Sequence, residues 1–497
     1  MKKSQNWRAV ALITICLLLI LAFANSGSLA QSTSNANISS SGNVQYPSPT
    51  PTPPPSPTQY TYIMSVSGSN YQILDGVTRA VLQQSTSSSQ AFNYLLGSSG
   101  VASDSETLYI EAGAYAVPST AWQLYKNYIT ITCESGVVLT KAGSTTTPVI
   151  AVYGSHNVID NIEIDGNWLN QSPAWNQYLA QDGSDSDKVG ILYYSSASYN
   201  LVMNSIIHGC RAYGIKGQWQ ATGHDNGAVN CTIYDIGANG WSTAMPAVAQ
   251  DVGDYCTHCE VYNCGDVGID VYGYNSIITD NYVHDIGEDV AMWGFNNAGW
   301  GIAVESGGGT GSGTYILIAG NTVQDCDNGD GSGGAGIAVE GSSSFQYVLI
   351  IGNTVTNSEW VGMRLHMQNG IVSYNTVSGY SQYGINLISG SGNTVYGNTG
   401  SFHDGASGTI TTPPSITAVT VTSSPTGTGF VTANGVAGYA GSYSIAPYTF
   451  YAAVGSSVTL VANTVSGYTF NNWSDGGAQS HTITVPSSYQ TYTATYS

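Results

Sequence analysis

Between residues 190 and 405 apolar and polar positions alternate in short bursts that recur along the chain. One burst reads Gly-[Ile/Met]-x-[Val/Leu/Tyr]-x, at Gly190, Gly268, Gly301, Gly336, Gly362 and Gly384, with a weaker form at Gly214. Period-two alternation marks a strand with one face buried. A second burst reads Asn-x-[Val/Ile], at Asn204, Asn281, Asn321, Asn353 and Asn375, and Asn398-Thr-Gly trails it. Cys231-Thr-Ile and Cys259-Glu-Val take the same place with Cys for Asn. From 204 onward the steps are 27, 28, 22, 40, 32, 22 and 23 residues. A unit this short, with two or three strands and Gly or Asn corners, cannot bury its apolar face alone, whereas stacked units can. The pattern predicts a parallel β-helix in which corner asparagines bond between coils. The L-x-x-L-x-L frame of a leucine-rich horseshoe is absent, and a propeller needs longer, four-stranded repeats.

Ahead of the repeats, Asp75 to Leu96 carries Val77, Val81, Leu82, Phe92, Leu95 and Leu96 at helical spacings. This predicts a helix, then a strand at Thr107-Leu-Tyr-Ile and a Gly113-Ala-Tyr corner, together capping the open sheet end. These elements, with the Gly-Ile-x-Val and Asn-Thr-Val bursts, resemble the pectate-lyase-like right-handed β-helix superfamily over about residues 60–405. The resemblance implies an all-β solenoid and leaves the reaction open, because that superfamily includes lyases, hydrolases, epimerases and non-catalytic surface proteins. The Asn-Thr-Asp, Asp-Asp and Gly-His-Gly set of polygalacturonases is missing, as is the basic cleft of pectate and alginate lyases. No family catalytic residue is therefore carried over.

Residues 415–497 switch to short Thr/Val/Tyr strands between Gly and Pro turns, which predicts a small all-β module. The stretch Gly467-Tyr-Thr-Phe-Asn-Asn-Trp-Ser-Asp-Gly-Gly, with Thr482-Ile-Thr-Val and Tyr492-Thr-Ala-Thr-Tyr, resembles the divergent internalin B-type bacterial repeat. That resemblance implies a surface module without catalytic residues, and Trp473 is expected to anchor its core.

Lys2, Lys3 and Arg8 precede an apolar run from Ala9 to Ala24 and small residues ending at Ala30. This predicts a secretory leader cut after Ala30, the run being short for a spanning helix. Residues 31–59 form a Ser/Thr/Pro-rich linker whose stretch YPSPTPTPPPSPT reads as polyproline II. The expected plan is leader 1–30, linker 31–59, N-terminal cap and strands 60–127, β-helix 128–405, linker 406–414 and β module 415–497. It places the mature chain outside the cell or on its surface, with no membrane span. Three of the ten bases fall in the leader, so seven remain against 30 acids, a net charge near −23. This argues against nucleic acid and anionic lipid as partners, since both select basic faces. Seven of the eight cysteines lie beyond the leader. Cys256-Thr-His-Cys259 has a zinc-like C-x-x-C spacing, but Cys231 and Cys259 share the ladder column and Cys264 and Cys326 another. This predicts stacked core thiols without metal.

The register of the Gly-Ile-x-Val strands aims the chemistry. With Ile302 and Val304 inward, Glu305 faces out, and Glu340 does so on the next coil. The outward column then reads Gln218, Tyr272, Glu305, Glu340 and His366, with Lys216, Asp270 and Arg364 beside it. The chain has nine Glu, which makes two in one register notable. Adjacent strands lie about 4.8 Å apart, so Glu305 and Glu340 suit the roughly 5–5.5 Å of a retaining glycosidase pair, and Asp270 with Glu305 a wider, inverting pair. Two facing carboxylates suit Ca²⁺ equally, and no other cofactor is expected. A lyase would draw on Arg364 and His366. The long steps of 40 and 32 residues place loops beside these strands, with Glu288, Asp289, Trp293, Phe295 and Trp300, then Asp327 and Asp330. Trp293, Trp300 and Trp360 suit sugar stacking. The expected role is binding or processing of an extracellular or cell-envelope polysaccharide by a hydrolase or lyase. The rival is a non-catalytic adhesin or envelope protein.

Overall fold

The computed structural model describes residues 60–142, 147–168, 189–194, 196–218, 222–243, 253–272, 276–287, 298–305, 314–327, 333–340, 345–411, 416–424, 431–434, 448–455, 457–465 and 467–497. Among them, strands stack in sheets of 14, 10 and 11 members, each coil giving in turn one strand to each sheet. Pairing between coils is parallel, with the Gly-Ile-x-Val strands in the 11-stranded sheet. Ile215, Trp241, Ile269, Ile302, Ile337, Met363 and Ile385 fall in one register. All are buried in one continuous core. The glycine that opens each burst is enforced by this stacking. A Cβ at Gly301 would lie 2.3 Å from Val323 Cγ1 and 2.7 Å from the Gly336 carbonyl oxygen.

The corner asparagines form the expected ladder. Asn281 donates from its backbone N–H and from Nδ2 to Asn321 Oδ1, at 3.0 and 2.9 Å. Asn321 does the same to Asn353, Asn353 to Asn375 and Asn375 to Asn398. Each Nδ2 also reaches back to a carbonyl of the preceding coil, as Asn353 does to Ile318 at 3.0 Å. Asn281, Asn321, Asn353 and Asn375 are each at most 2% exposed. Cys259 continues the column by donating its N–H to Asn281 Oδ1 at 2.9 Å, and Cys231 N–H meets Cys259 Sγ at 3.4 Å.

One position is shifted. Ser205, not Asn204, stands in the ladder beside Cys231: its hydroxyl accepts the Ile162 N–H at 3.2 Å, and Ile206 pairs with Thr232. Asn204 occupies the preceding, solvent-facing corner at φ 51°, a left-handed conformation that asparagine tolerates. There it accepts from Asn230 Nδ2 at 2.8 Å. A second buried ladder escaped the sequence reading: Asn157, Asn200, Asn226 and Asp254 hand hydrogen bonds up another corner. Its spacings of 43, 26 and 28 residues track those of the recognised repeat, but its following residues vary.

The N-terminal section differs more. Residues 75–96 are not one helix. Asn70–Asp75 and Val81–Ser85 are antiparallel strands, and only Ser88–Leu96 is helical, with the Ser87 hydroxyl accepting from Gln90 N–H. Val77, Val81 and Leu82 are exposed, so their spacing reflected no buried face. Phe92, Leu95 and Leu96 are buried, and Phe92 stacks on Trp122 at 4.4 Å. Parallel stacking also begins earlier than residue 128: Thr107–Ile110, Gly113–Val117 and Trp122–Leu124 already pair with the next coil.

The described residues of 60–411 and of 416–497 lie in separate compact units. In the second, strands Ile416–Ser424, Tyr448–Ala453, Phe470–Trp473 and Gln490–Tyr496 form one sheet, and Val431–Asn434, Ser457–Ala462 and Ser480–Thr484 another. Trp473 is buried among Val419, Val458, Leu460 and Tyr496, with Nε1 donating to the Gln479 carbonyl at 3.3 Å. Among the described residues no helix is long and apolar enough to cross a membrane.

The ladder gives a direct test. Asn353→Ala removes the acceptor of two buried donors on Asn321, and stranded buried donors cost about 1–3 kcal/mol each. A loss of about 2–4 kcal/mol in chemical denaturation is expected. Asn204→Gly, at a left-handed surface corner, should cost less than about 0.5 kcal/mol. Equal effects would mean that the column carries no special share of the stability.

Candidate functional site

Three successive strands of the 11-stranded sheet build the site: Trp300–Glu305, Ala335–Glu340 and Val361–His366. Parallel pairing sets Ala303 beside Ala338 and Glu305 beside Glu340, and Ala338 beside Arg364. Because Ile302, Val304, Ile337 and Val339 are fully buried, both glutamates leave the core side of the sheet. They are half-buried at the strand ends.

Their surroundings differ. Arg364 Nη1 pairs with Glu340 Oε1 at 2.7 Å, and His366 Nε2 lies 3.8 Å from Glu340 Oε2. Burial pushes the Glu340 carboxyl up to about 7, and Arg364 opposes that rise. Glu305 is pushed up to about 7 by burial first and by the nearby charges of Asp266 and Glu340, while a hydrogen bond with Tyr272 works the other way. Both carboxyls thus stand at about 7, with the guanidinium on Glu340 alone and the Tyr272 hydroxyl on Glu305. Burial and then Arg364 lower His366, whose Nδ1 lies 2.9 Å from the Ser389 hydroxyl, so the imidazole is neutral at pH 7.

Asp270 stands two residues before the Tyr272 position, beside Ala303. It is wholly buried, its Oδ2 accepting from Asn239 Nδ2 at 2.5 Å and from the Ser242 hydroxyl at 3.4 Å. Burial and then Glu305 hold its carboxyl well above the usual range. It is sealed from solvent beside the half-buried Glu305. Lys216 lies further back in that column, through Ser242, with Nζ 3.5 Å from the Tyr213 ring centroid. Gln218 donates its N–H to the Tyr193 carbonyl at 2.8 Å.

Of the tryptophans, Trp360 joins the site: its ring centroid is 5.4 Å from Arg364 Cζ. Trp300, Trp360 and Tyr383 are half-buried around Ala335, Ala338 and Val361, and Trp300 Nε1 donates to the Gly333 carbonyl at 3.1 Å. Trp293, Phe295, Glu288, Asp289 and Asp330 lie outside the described residues. Asn386, beside Arg364 on the next coil, and His403 beyond it extend the column, with His403 Nδ1 3.0 Å from Asn386 Oδ1. The Gly384-Ile-Asn386 burst held that signal. Asp266, one residue before its strand, had none; its Oδ1 accepts the Ala298 N–H at 2.8 Å.

The cysteines form no such centre. All seven described ones are free and buried, and burial raises Cys231 and Cys259 far above the usual thiol range. Cys264 and Cys326 flank Ile286 in one register. Among the described residues no group of three or more His, Cys, Asp or Glu is arranged to hold a metal ion.

A family model described as the right handed beta helix region matches residues 230–400. The coil is a right-handed β-helix. The matched stretch contains all three strands of the site. Among solved structures, the chain is similar to the A-module of the mannuronan C-5 epimerase AlgE4 of Azotobacter vinelandii. Identity is 15%, over 62% of this chain and 88% of that one, at a TM-score of 0.41. It is similar to the catalytic domain of Agl-KA at 15% identity, over 65% of this chain and 64% of that one, at 0.44. Pectate lyase Pel9A matches at 15%, over 55% and 72%, at 0.34. A search of curated proteins finds no match to the chain.

Raised carboxyls make a stability prediction. An acid whose folded value is raised binds its proton more tightly when folded, so its contribution is complete below its ordinary value of 4.5. That contribution is lost as pH rises toward about 7. Glu305→Gln should flatten that segment of the melting profile. At pH 8 it should be more stable than the parent by about 1–3 kcal/mol. Profiles of equal slope would show that Glu305 is not desolvated.

Proposed function

We propose that this protein is exported, and that its β-helix binds a polysaccharide outside the cell and cleaves it at Glu305 and Glu340. The observation that carries this reading is the in-register pairing of the two glutamates with Arg364 on one of them. Strands in adjacent coils lie about 4.8 Å apart, close to the roughly 5–5.5 Å separation of a retaining pair. Glu340, ionised against Arg364, attacks the anomeric carbon with a carboxylate oxygen. The glycosidic C–O bond breaks, its electron pair stays on the leaving oxygen, and Glu305 gives that oxygen its proton. Glu305, now ionised, takes a proton from the water that displaces Glu340 and restores both groups. Asp270 and Tyr272 serve as positioning residues: the buried Asp270 helps hold Tyr272, whose hydroxyl bonds Glu305. Arg364 occupies one side of Glu340, where a calcium ion would otherwise be needed, and this favours cleavage over a calcium-bound pair. The tryptophan and tyrosine faces beside Arg364 supply an apolar surface for a sugar ring.

Glu305→Gln and Glu340→Gln keep shape and remove charge. Each should lower the release of reducing ends from a bound polymer by about 10²–10⁴-fold while leaving polymer binding within a few-fold. Loss of activity on treatment with a calcium chelator would point to the metal instead. Variants that match the parent in hydrolysis would favour a non-catalytic adhesin.

A further inference from the structure

The titratable groups of the site are mostly acids, and its cations are engaged. Around the paired glutamates, the described acids of this column are Asp266, Asp270, Glu305 and Glu340, against two bases, Lys216 and Arg364. Lys216 stands three coils before Glu305, in register with Ser242, Asp270 and Ala303. Arg364 is the cation at the pair, and its guanidinium is engaged from within: Nη1 on Glu340 at 2.7 Å, Cζ 5.4 Å from the Trp360 ring. His366, beside it, is held neutral by burial and by that same arginine. The chain as a whole has 30 acids to 10 bases, a net charge of −20.

We propose that this site selects an uncharged glycan and discriminates against polyuronates; this deepens the proposed function and rests on it. A substrate carboxylate entering beside Glu340 must either compete with the Glu340 carboxylate for Arg364 or stand without a cation in a half-buried site. The first outcome sets the carboxylate against that of Glu340, and the second leaves a charge desolvated without a partner; both are costly where screening is weak. The field of an acidic protein adds repulsion at longer range along a polyanion. An uncharged sugar meets neither cost. Its hydroxyls can donate to the glutamate oxygens, and its C–H faces can lie on Trp300, Trp360 and Tyr383, packed about the small Ala335 and Ala338.

The full chain is titrated calorimetrically at pH 7 with soluble β-glucan, mannan and xylan, with polygalacturonate, and with methyl-esterified polygalacturonate, which has the same backbone without the charge. Reducing ends are scored in parallel. One or more neutral polymers should bind and be cut. Polygalacturonate should bind several-fold more weakly than its ester, and added salt should narrow that gap as the screening length shortens. Glu340→Gln releases Arg364 and should raise affinity for polygalacturonate several-fold without raising that for the neutral polymers. Glu305→Gln, at the group that holds the proton, leaves Arg364 engaged and should give the smaller gain. The comparison of acid with ester uses the parent protein alone, so it stands even if a variant misfolds. Polygalacturonate bound more tightly than its ester, or progressively weakened by salt, overturns the selectivity while leaving the proposed function intact. Failure to bind any polymer overturns both.

Discussion

Buried amides stacked from coil to coil are the constraint on which the rest of this structure depends. Each turn of the β-helix leaves a sharp corner whose backbone N–H cannot join a sheet, and an unpaired buried donor is costly. Asn281, Asn321, Asn353, Asn375 and Asn398 answer this with one side chain per coil, each accepting two bonds from the coil before. Because the amide fits in one position only, the ladder fixes the corner, and the corner fixes the register of the strands on either side. A slip of one residue would turn every core side chain outward.

That register is what creates the site. Glu305 and Glu340 come from coils separated by long insertions, yet they meet because Ile302 and Ile337 share one inward row and the corners hold both strands in phase. The same rigidity keeps two carboxyls in a half-buried place where neither is comfortable. The stress is local, and the arginine sits on one glutamate only.

Most of the solenoid was legible because its signal repeats: Gly-Ile-x-Val and Asn-Thr-Val each state a strand and a corner several times over. Where the signal occurred once, it misled. Val77, Val81 and Leu82 fall at helical spacings but lie on an exposed hairpin, and only Phe92, Leu95 and Leu96 belong to a helix. Asn204 looked like a ladder residue because it precedes Ser205-Ile by the same count that Asn281 precedes Tyr-Val. The turn has the same length in both coils: Asn204 takes the left-handed place of Asp280, and the hydroxyl of Ser205 does the work of the Asn281 amide. In the site, the outward column was readable from alternation alone. Depth was not: Asp270 and Glu305 both point away from the core in the sequence pattern, yet one is sealed and the other half-open. Burial of an outward residue depends on what covers the sheet, and strand periodicity carries no information about that.

The amide column also has a direction. Every corner amide passes its hydrogen to the coil that follows it in the chain, so a coil's corner is completed only by residues made later. On a ribosome, the most recently finished turn would always present two unmatched donors to the emerging segment, and the next turn would lock in place as it supplied the oxygen. Growth of this kind would proceed one rung at a time from the amino end and need few distant contacts to be found by search, since each new strand would land on an edge already in register. It also means that a chain halted part-way carries an open edge and an unsatisfied corner, the form in which such a protein would be most exposed to mispairing with another copy of itself.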